Sequence, residues 1–420
     1  MNSNNGNYTR REFMTKPVSY LASAGLLTLG VGVSSTELLR AAGHGLKGKL
    51  ITRPLGKTGI SLPIVSMGVM NAEAPGLITR SYEVGIRHFD TAAVYQGGRS
   101  EEMVGQAIRQ LGVRDQVVIS TKAHVRGAGR GNPAENKAEM LRIFDGSLKR
   151  LQMDHVEILY LHAINEAPPV NDAGVQEAIT QLKKEGKIRF AGVSTHQGQA
   201  EVLNAMAQSG FWDVALVAFN YTMSDNQALI EAMKLCASKG LGIVAMKTQA
   251  GGSKPPQKEV LGSDLPGSVR QSAVLKWVLR HPFITTAIPG FTRFEHIDED
   301  IPVASHLAFT HDERKFISNN AIKASLEFCQ QCRECIASCP NRVDIPTLMR
   351  THMYAFQYAN FDHARFTLAE VPAHAGLEVC RSCAVCSAVC SRGVNIKHRV
   401  HELAFGFDSR AVPGSSVVSC

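Results

Sequence analysis

The 420-residue chain has no basic run and no interleaving of aromatic with basic side chains. Its formal net charge is +8. The first 45 residues supply two of that, with Arg10, Arg11, Lys16 and Arg40 set against Glu12 and Glu37. The remainder is dispersed, which reads as a solvated basic surface and argues against nucleic acid as a partner. A long apolar run is also missing. The weakly apolar stretch 18–33 is broken by Gly25, Gly30 and Gly32, which argues against a stable membrane span. No glycine-rich turn follows the first strand-like run, so the signature of an open, doubly wound dinucleotide fold is absent. The sequence Gly127-Ala128-Gly129-Arg130-Gly131 follows the third such run, has the wrong spacing, and reads as a loop. No flavin motif is evident either.

The N-terminal residues read as an address. A polar start leads to Thr9-Arg10-Arg11-Glu12-Phe13-Met14, then Lys16, then the short apolar run. A charged segment before a short apolar one is an export pattern, and the Arg-Arg pair followed by Phe resembles a twin-arginine signal. Such a signal implies export of a folded protein to the periplasm or the outer face of the cytoplasmic membrane. No clear Ala-x-Ala cleavage site is present, which leaves membrane association through an uncleaved signal open. The expected division is 1–45 signal and linker, 46–309 barrel, 310–407 cysteine-rich domain and 408–420 frayed tail.

Between residues 50 and 307, apolar strand-like runs alternate with amphipathic segments. The runs are 64–68, 86–91, 117–122, 156–162, 188–195, 214–220, 242–248 and 284–290. In the segment 134–151, Met140, Phe144, Leu148 and Leu151 fall on one helical face. Eight strand–helix units in this length predict a parallel (β/α)8 TIM barrel, an α/β fold, with the doubly wound sheet as the alternative. Ser100 is expected to cap a helix that carries Glu101 and Glu102 in its first turn.

Chemistry in such a barrel sits at the C-terminal ends of the strands. The second run delivers Asp90 and, just beyond it, Tyr95; the third ends on Lys122 and the fourth on His162. Alone, each is an ordinary structural residue. Together, four ionisable side chains on three consecutive strand ends share one rim. Reduction of a carbonyl leaves an alkoxide that needs a proton. Tyr95 is the candidate acid, with Lys122 expected to lower its pKa, Asp90 to hold Lys122, and His162 to orient the carbonyl oxygen.

Residues 85–105, Ser120-Thr121-Lys122, the stretch 147–162, Ala191-Gly192-Val193-Ser194 and Ala287-Ile288-Pro289-Gly290 together resemble the aldo-keto reductase family. The resemblance covers most of residues 50–307. It implies a carbonyl–alcohol oxidoreductase with the tetrad Asp90, Tyr95, Lys122 and His162. It also implies NAD(P)H across the barrel mouth, with Met70, Asp90, Ser194, Thr195, Lys247 and Gly290 as candidate contacts. This sequence departs from the family at that site. Gly290, Phe291, His296 and Asp300 stand where many members hold a 2′-phosphate, Met246 replaces a stacking aromatic, and Ala218 replaces a glutamine.

Eight of the ten cysteines lie in two runs, Cys329-x2-Cys332-x2-Cys335-x3-Cys339-Pro340 and Cys380-x2-Cys383-x2-Cys386-x3-Cys390. This duplicated spacing is the bacterial two-cluster ferredoxin pattern, in which each fourth cysteine serves the other cluster. The pattern assigns Cys329, Cys332, Cys335 and Cys390 to one 4Fe-4S cluster, and Cys339, Cys380, Cys383 and Cys386 to the other. Zinc and disulfides are the alternatives. Residues 345–358 and 363–369 between the runs look helical, resembling an α-helical ferredoxin module. Thr310 and Glu313 are expected to cap a helix running into Cys329. Cys236 and Cys420 have no partner in this scheme.

The functional expectation is an oxidoreductase acting on a small carbonyl or alcohol and coupled to electron transfer through two clusters. Hydride moves two electrons and a cluster moves one, so a flavin or a redox partner protein is implied. The alternative is a non-catalytic barrel that docks an iron–sulfur electron carrier.

Overall fold

The computed structural model describes residues 49–250, 267–319 and 328–407. The export signal, most of the loop 249–267, the terminal tail and Cys420 lie outside the described residues.

Eight parallel strands run β3 (Met67–Gly68), β4 (His88–Asp90), β5 (Val118–Ala123), β6 (Val156–Ile164), β7 (Ile188–Thr195), β8 (Val214–Ala218), β9 (Gly242–Met246) and β10 (Thr286–Ala287). Each pairs with its sequence neighbour, in the order β10-β9-β8-β7-β6-β5-β4-β3. Parallel bridges Val65–Ala287 and Gly68–Gly290 join the first strand region to the last and close the ring. This is the (β/α)8 barrel expected from the alternation of apolar runs. Strands buried on both faces read as continuous apolar runs, and β6 is buried along nearly all of its nine residues.

The barrel has an inner and an outer core. Inside the ring, Tyr160, Leu216, Val244 and Ile288 pack together. The antiparallel hairpin β1 (Thr52–Pro54) and β2 (Ser61–Pro63) adds Leu55 and Leu62, both fully buried. Outside, helices cover the strands. The helix Pro133–Leu151 turns Met140, Phe144, Leu148 and Leu151 inward, as its periodicity requires. Full burial of a side chain such as Phe144 contributes about 2 kcal/mol.

The helix Arg99–Leu111 differs from expectation at its start. Gly98, with φ 94°, occupies the N-cap position, and Ser100 lies inside the helix. The Ser100 hydroxyl is buried, 2.8 Å from Thr91 Oγ1, and donates to the Val69 carbonyl at 3.3 Å, so it cannot cap. Glu101 is also buried. Its carboxylate accepts from Thr121 Oγ1 at 2.5 Å and from Arg150 Nε at 2.7 Å, tying the helix to β5 and to the next helix. The signal of a polar first turn was real, but the polar groups serve tertiary contacts.

The cysteine-rich segment packs on the barrel; contacts place residues from Leu46 onward in one compact unit. Tyr221 Oη donates to the Ile317 carbonyl at 2.5 Å, Gln330 Nε2 to the Thr222 carbonyl at 2.5 Å, and Asn360 Nδ2 to Asn71 Oδ1 at 2.8 Å. Thr310 and Glu313 form the expected capping box, but their helix, His311–Ser318, ends well before Cys329. The helix Ile345–His352 continues into a π-helical turn, Met353–Gln357. Ala359 follows with φ 53°, and a short helix spans Phe361–Leu368. Such π turns and left-handed non-glycine residues concentrate at functional positions. No described helix is long and apolar enough to cross a membrane.

Candidate active site

The C-terminal ends of β4, β5 and β6 bring Asp90, Lys122 and His162 to one side of the barrel mouth, and the turn after β4 adds Tyr95. Asp90 and Lys122 form a buried ion pair through Asp90 Oδ2. The remaining Asp90 oxygen accepts from Ser120 Oγ at 2.6 Å, and Lys122 Nζ also donates to the Thr91 carbonyl at 2.6 Å. The ammonium lies 4.7 Å from the centre of the Tyr95 ring, over its face. The His162 ring meets Tyr95 edge-on at 5.8 Å. The four predicted residues therefore converge.

The electrostatics differ from expectation in one respect. Burial pushes the Tyr95 phenol well above its ordinary value, and Asp90 pushes it further. Lys122 does not reverse this, because its charge is matched by Asp90 and sits over the ring face. Burial also lowers the Lys122 pKa against the opposing pull of Asp90. Tyr95 is thus a phenol that keeps its proton. His162 is held well below the ordinary imidazole range by burial, helped by Lys122, His124, His363 and Lys247, so it is neutral near pH 7. Its Nδ1 has no hydrogen-bond partner among the described residues.

A cavity of about 650 Å³ opens beside Tyr95, within the size range of small-molecule sites. Met70, Asp90, Lys247 and Gly290 of the predicted contacts line it, as do Met246, His296 and Asp300. Ser194 and Thr195 are not among its lining residues. Ser194 Oγ instead accepts from the Ala163 amide at 2.9 Å, and Thr195 Oγ1 donates to the Gln197 carbonyl at 3.2 Å. Phe291 is buried in the outer core. Ala218 lines a separate small cavity that also touches Cys329.

Several lining residues carried no signal in the sequence. Arg270, on the helix Gly267–Leu279, and Arg293, just after β10, bring two guanidinium groups to the far end. Asp300 lies there too, pushed up to about 8 by burial, with Gln249 Nε2 donating to both of its oxygens at 2.8 and 2.9 Å. Thr248 Oγ1 and Gln271 Oε1 are buried in the lining without a partner. A Cβ on Gly68 would come within 2.9 Å of the Ile288 carbonyl, so glycine keeps the wall close to the strand behind it.

The cysteine-rich segment reaches the same site. His363 meets the Tyr95 ring edge-on at 5.4 Å, on the tail side, and Tyr354 meets His363 at 4.4 Å. Phe366 packs on His124, which packs on His162. Gln357 and Tyr358 line the large cavity directly.

The cysteines gather as two crossed sets. Cys329, Cys332, Cys335 and Cys390 line one small cavity; Cys339, Cys380, Cys383 and Cys386 line another. None of the nine described cysteines forms a disulfide. Among the described residues, no three His, Cys, Asp or Glu side chains converge on a point that would hold a single metal ion. Val385 and Val389, 73% and 68% exposed, flank Cys386 on the outside.

The aldo/keto reductase family model matches residues 61–260. Over 312 residues the chain is 26% identical to L-galactose dehydrogenase of Arabidopsis thaliana, covering 66% of this chain and 95% of that one. It is 25% identical over 338 residues to L-glyceraldehyde 3-phosphate reductase of Escherichia coli O157:H7, covering 67% and 96%. Among solved structures it is similar to an aldo/keto reductase from Klebsiella pneumoniae in complex with NADP and acetate. The TM-score is 0.52 at 25% identity, over 64% of this chain and 94% of that one. An aldo-keto reductase from Bacillus halodurans shares the fold, with TM-score 0.53 at 21% identity over 64% and 95%.

Replacing Asp90 by Asn leaves the Lys122 ammonium buried without its counter-charge. Breaking such a pair costs about 3–5 kcal/mol. Urea denaturation is expected to show a loss of that size, and an unchanged midpoint would contradict the ion pair.

Proposed function

We propose that this chain, an oxidoreductase of the aldo-keto reductase family, interconverts a carbonyl and an alcohol with a nicotinamide dinucleotide, and that two 4Fe-4S clusters connect it to a redox partner. The observation that carries the first part is the convergence of a protonated Tyr95 with Lys122, Asp90 and His162 at the edge of the large cavity.

The dinucleotide reading is supported by the cavity itself. Its wall has a glycine at position 68 where a Cβ does not fit, and two buried polar atoms, on Thr248 and Gln271, that await partners. Gly68, Met70, Met246 and Gly290 would hold the cofactor near Tyr95, and Arg270 and Arg293 would meet its phosphates. When bound, the cofactor supplies hydride, which no side chain can. The protein supplies the rest. Tyr95 donates the proton that neutralises the developing alkoxide. Lys122, fixed by Asp90 and the Thr91 carbonyl, lies over the face of the Tyr95 ring and helps hold the phenol in place. His162, neutral and buried, orients the carbonyl oxygen beside the phenol.

The cluster reading is supported by the cysteine spacing and by the crossed grouping of the thiols around two cavities. Cys329, Cys332, Cys335 and Cys390 would hold one cluster, next to the barrel; Cys339, Cys380, Cys383 and Cys386 would hold the other, beside exposed Val385 and Val389. Clusters supply one-electron transfer. The exposed valines suit docking of a redox protein; since each cluster takes one electron, a flavin or a partner able to divide the electron pair would have to stand between the hydride and the clusters. Arg10 and Arg11 support export of the folded protein through the twin-arginine route, to the periplasm or the outer membrane face.

Three measurements test these readings. Tyr95→Phe removes the acid, so carbonyl turnover should fall by roughly 100-fold or more while the visible absorbance of the clusters stays unchanged. Retained turnover would count against the tetrad. Anaerobically purified protein should contain about eight iron atoms per chain, from two four-iron clusters; zinc without iron would overturn that assignment. Replacing Arg10 and Arg11 by Lys should retain the protein in the cytoplasm, and unchanged export would refute the signal.

A further inference from the structure

Lys247 stands out among the residues that the tetrad does not use. It follows β9 directly and has φ 55°, a left-handed conformation that is strained for a non-glycine residue. Asn220 Nδ2 donates to its carbonyl at 3.2 Å and helps hold that conformation. The side chain lines the large cavity that Tyr95 also lines. Its Nζ donates to Tyr354 Oη at 2.8 Å and lies 4.8 Å from the centre of the Tyr354 ring. Tyr354 comes from the cysteine-rich segment, so the lysine is aimed from both sides of the junction.

Among the described carboxylates, Lys247 has no counter-charge. Lys122 is matched by Asp90, and Arg350 by Glu370 at 2.8 Å. Among the described residues no carboxylate forms an ion pair with Lys247. Burial drives its pKa well down, and the cations Arg350 and Lys122 push it further. The carboxyl groups Glu299 and Asp300 also line this cavity, in a group with Arg293 and His296. Lys247 therefore brings to the cavity wall a cation that no described carboxylate pairs. A part-buried cation without a partner is costly, and an incoming anion relieves that cost.

We infer that the carbonyl substrate carries an anionic group, a carboxylate or a phosphate, and that Lys247, positioned by Tyr354, is its anchor. The inference rests on the carbonyl-reductase reading and narrows its substrate class. It also gives the cysteine-rich segment a second task, since Tyr354 places the anchor and Gln357 and Tyr358 line the pocket.

The test compares two aldehydes of equal chain length, succinic semialdehyde and butanal, with the full chain supplied with NADPH. The ratio of their kcat/KM values cancels any shared effect on cofactor binding. Wild type should favour the acid, and Lys247→Met should lower the ratio by roughly 30-fold, the loss expected when one partner of a buried charge pair is removed. Tyr354→Phe, which keeps the ring and removes only the hydroxyl, should lower it by less. Absence of a preference, or a ratio unchanged in Lys247→Met, overturns the inference. If neither aldehyde turns over, the carbonyl reading fails, and calorimetric binding of succinate decides the anchor separately. Binding lost in Lys247→Met supports the anchor; no binding to the wild type overturns it.

Discussion

The buried Asp90–Lys122 pair is the constraint on which the site depends. A lysine enclosed at the end of a central strand is tolerable only with a counter-charge, and Asp90 on the adjacent strand is the group that provides it. The parallel register places Asp90 beside Ser120, so the carboxylate receives both the serine hydroxyl and the ammonium. Because the two charges cancel, Tyr95 feels mainly burial and the nearby carboxylate, and it retains its proton. The same pair that holds the lysine thus prepares the phenol as a donor and not as a phenolate. The expectation that an adjacent ammonium alone sets the tyrosine pKa neglected this cancellation.

Much of the barrel was legible because fully buried parallel strands write themselves as uninterrupted apolar runs, and because ionisable side chains at strand ends break those runs at a fixed place. Asp90, Lys122 and His162 each end such a run. The helix Pro133–Leu151 was legible from the spacing of Met140, Phe144, Leu148 and Leu151. Ser100 misled because a hydroxyl before two glutamates looks the same whether it caps a helix or bonds to a neighbouring strand. Ser194 and Thr195 lie outside the lining of the large cavity, and the backbone groups that their hydroxyls meet could not be read from the sequence.

The contribution of the cysteine-rich segment to the barrel mouth was not legible at all. His363 reaches Tyr95 across more than half of the sequence, and nothing in the local composition around either residue signals the contact. The cysteine spacing speaks only of the segment's own interior and says nothing of where that segment packs. Arg270 and Arg293 were hidden for a related reason: surface arginines are common, and only the fold turns these two into one cavity. Lys247 was visible as a strand-end residue, but its lack of a counter-charge emerged only with its neighbours in place.

The central claim is that the neutralised Asp90–Lys122 pair leaves Tyr95 as a protonated donor. The most direct measurement is a near-ultraviolet difference titration of tyrosinate formation, wild type minus Tyr95→Phe, as pH is raised. The account predicts that Tyr95 ionises above the ordinary tyrosine value of about 10. Ionisation of Tyr95 below that value, toward neutrality, would contradict it.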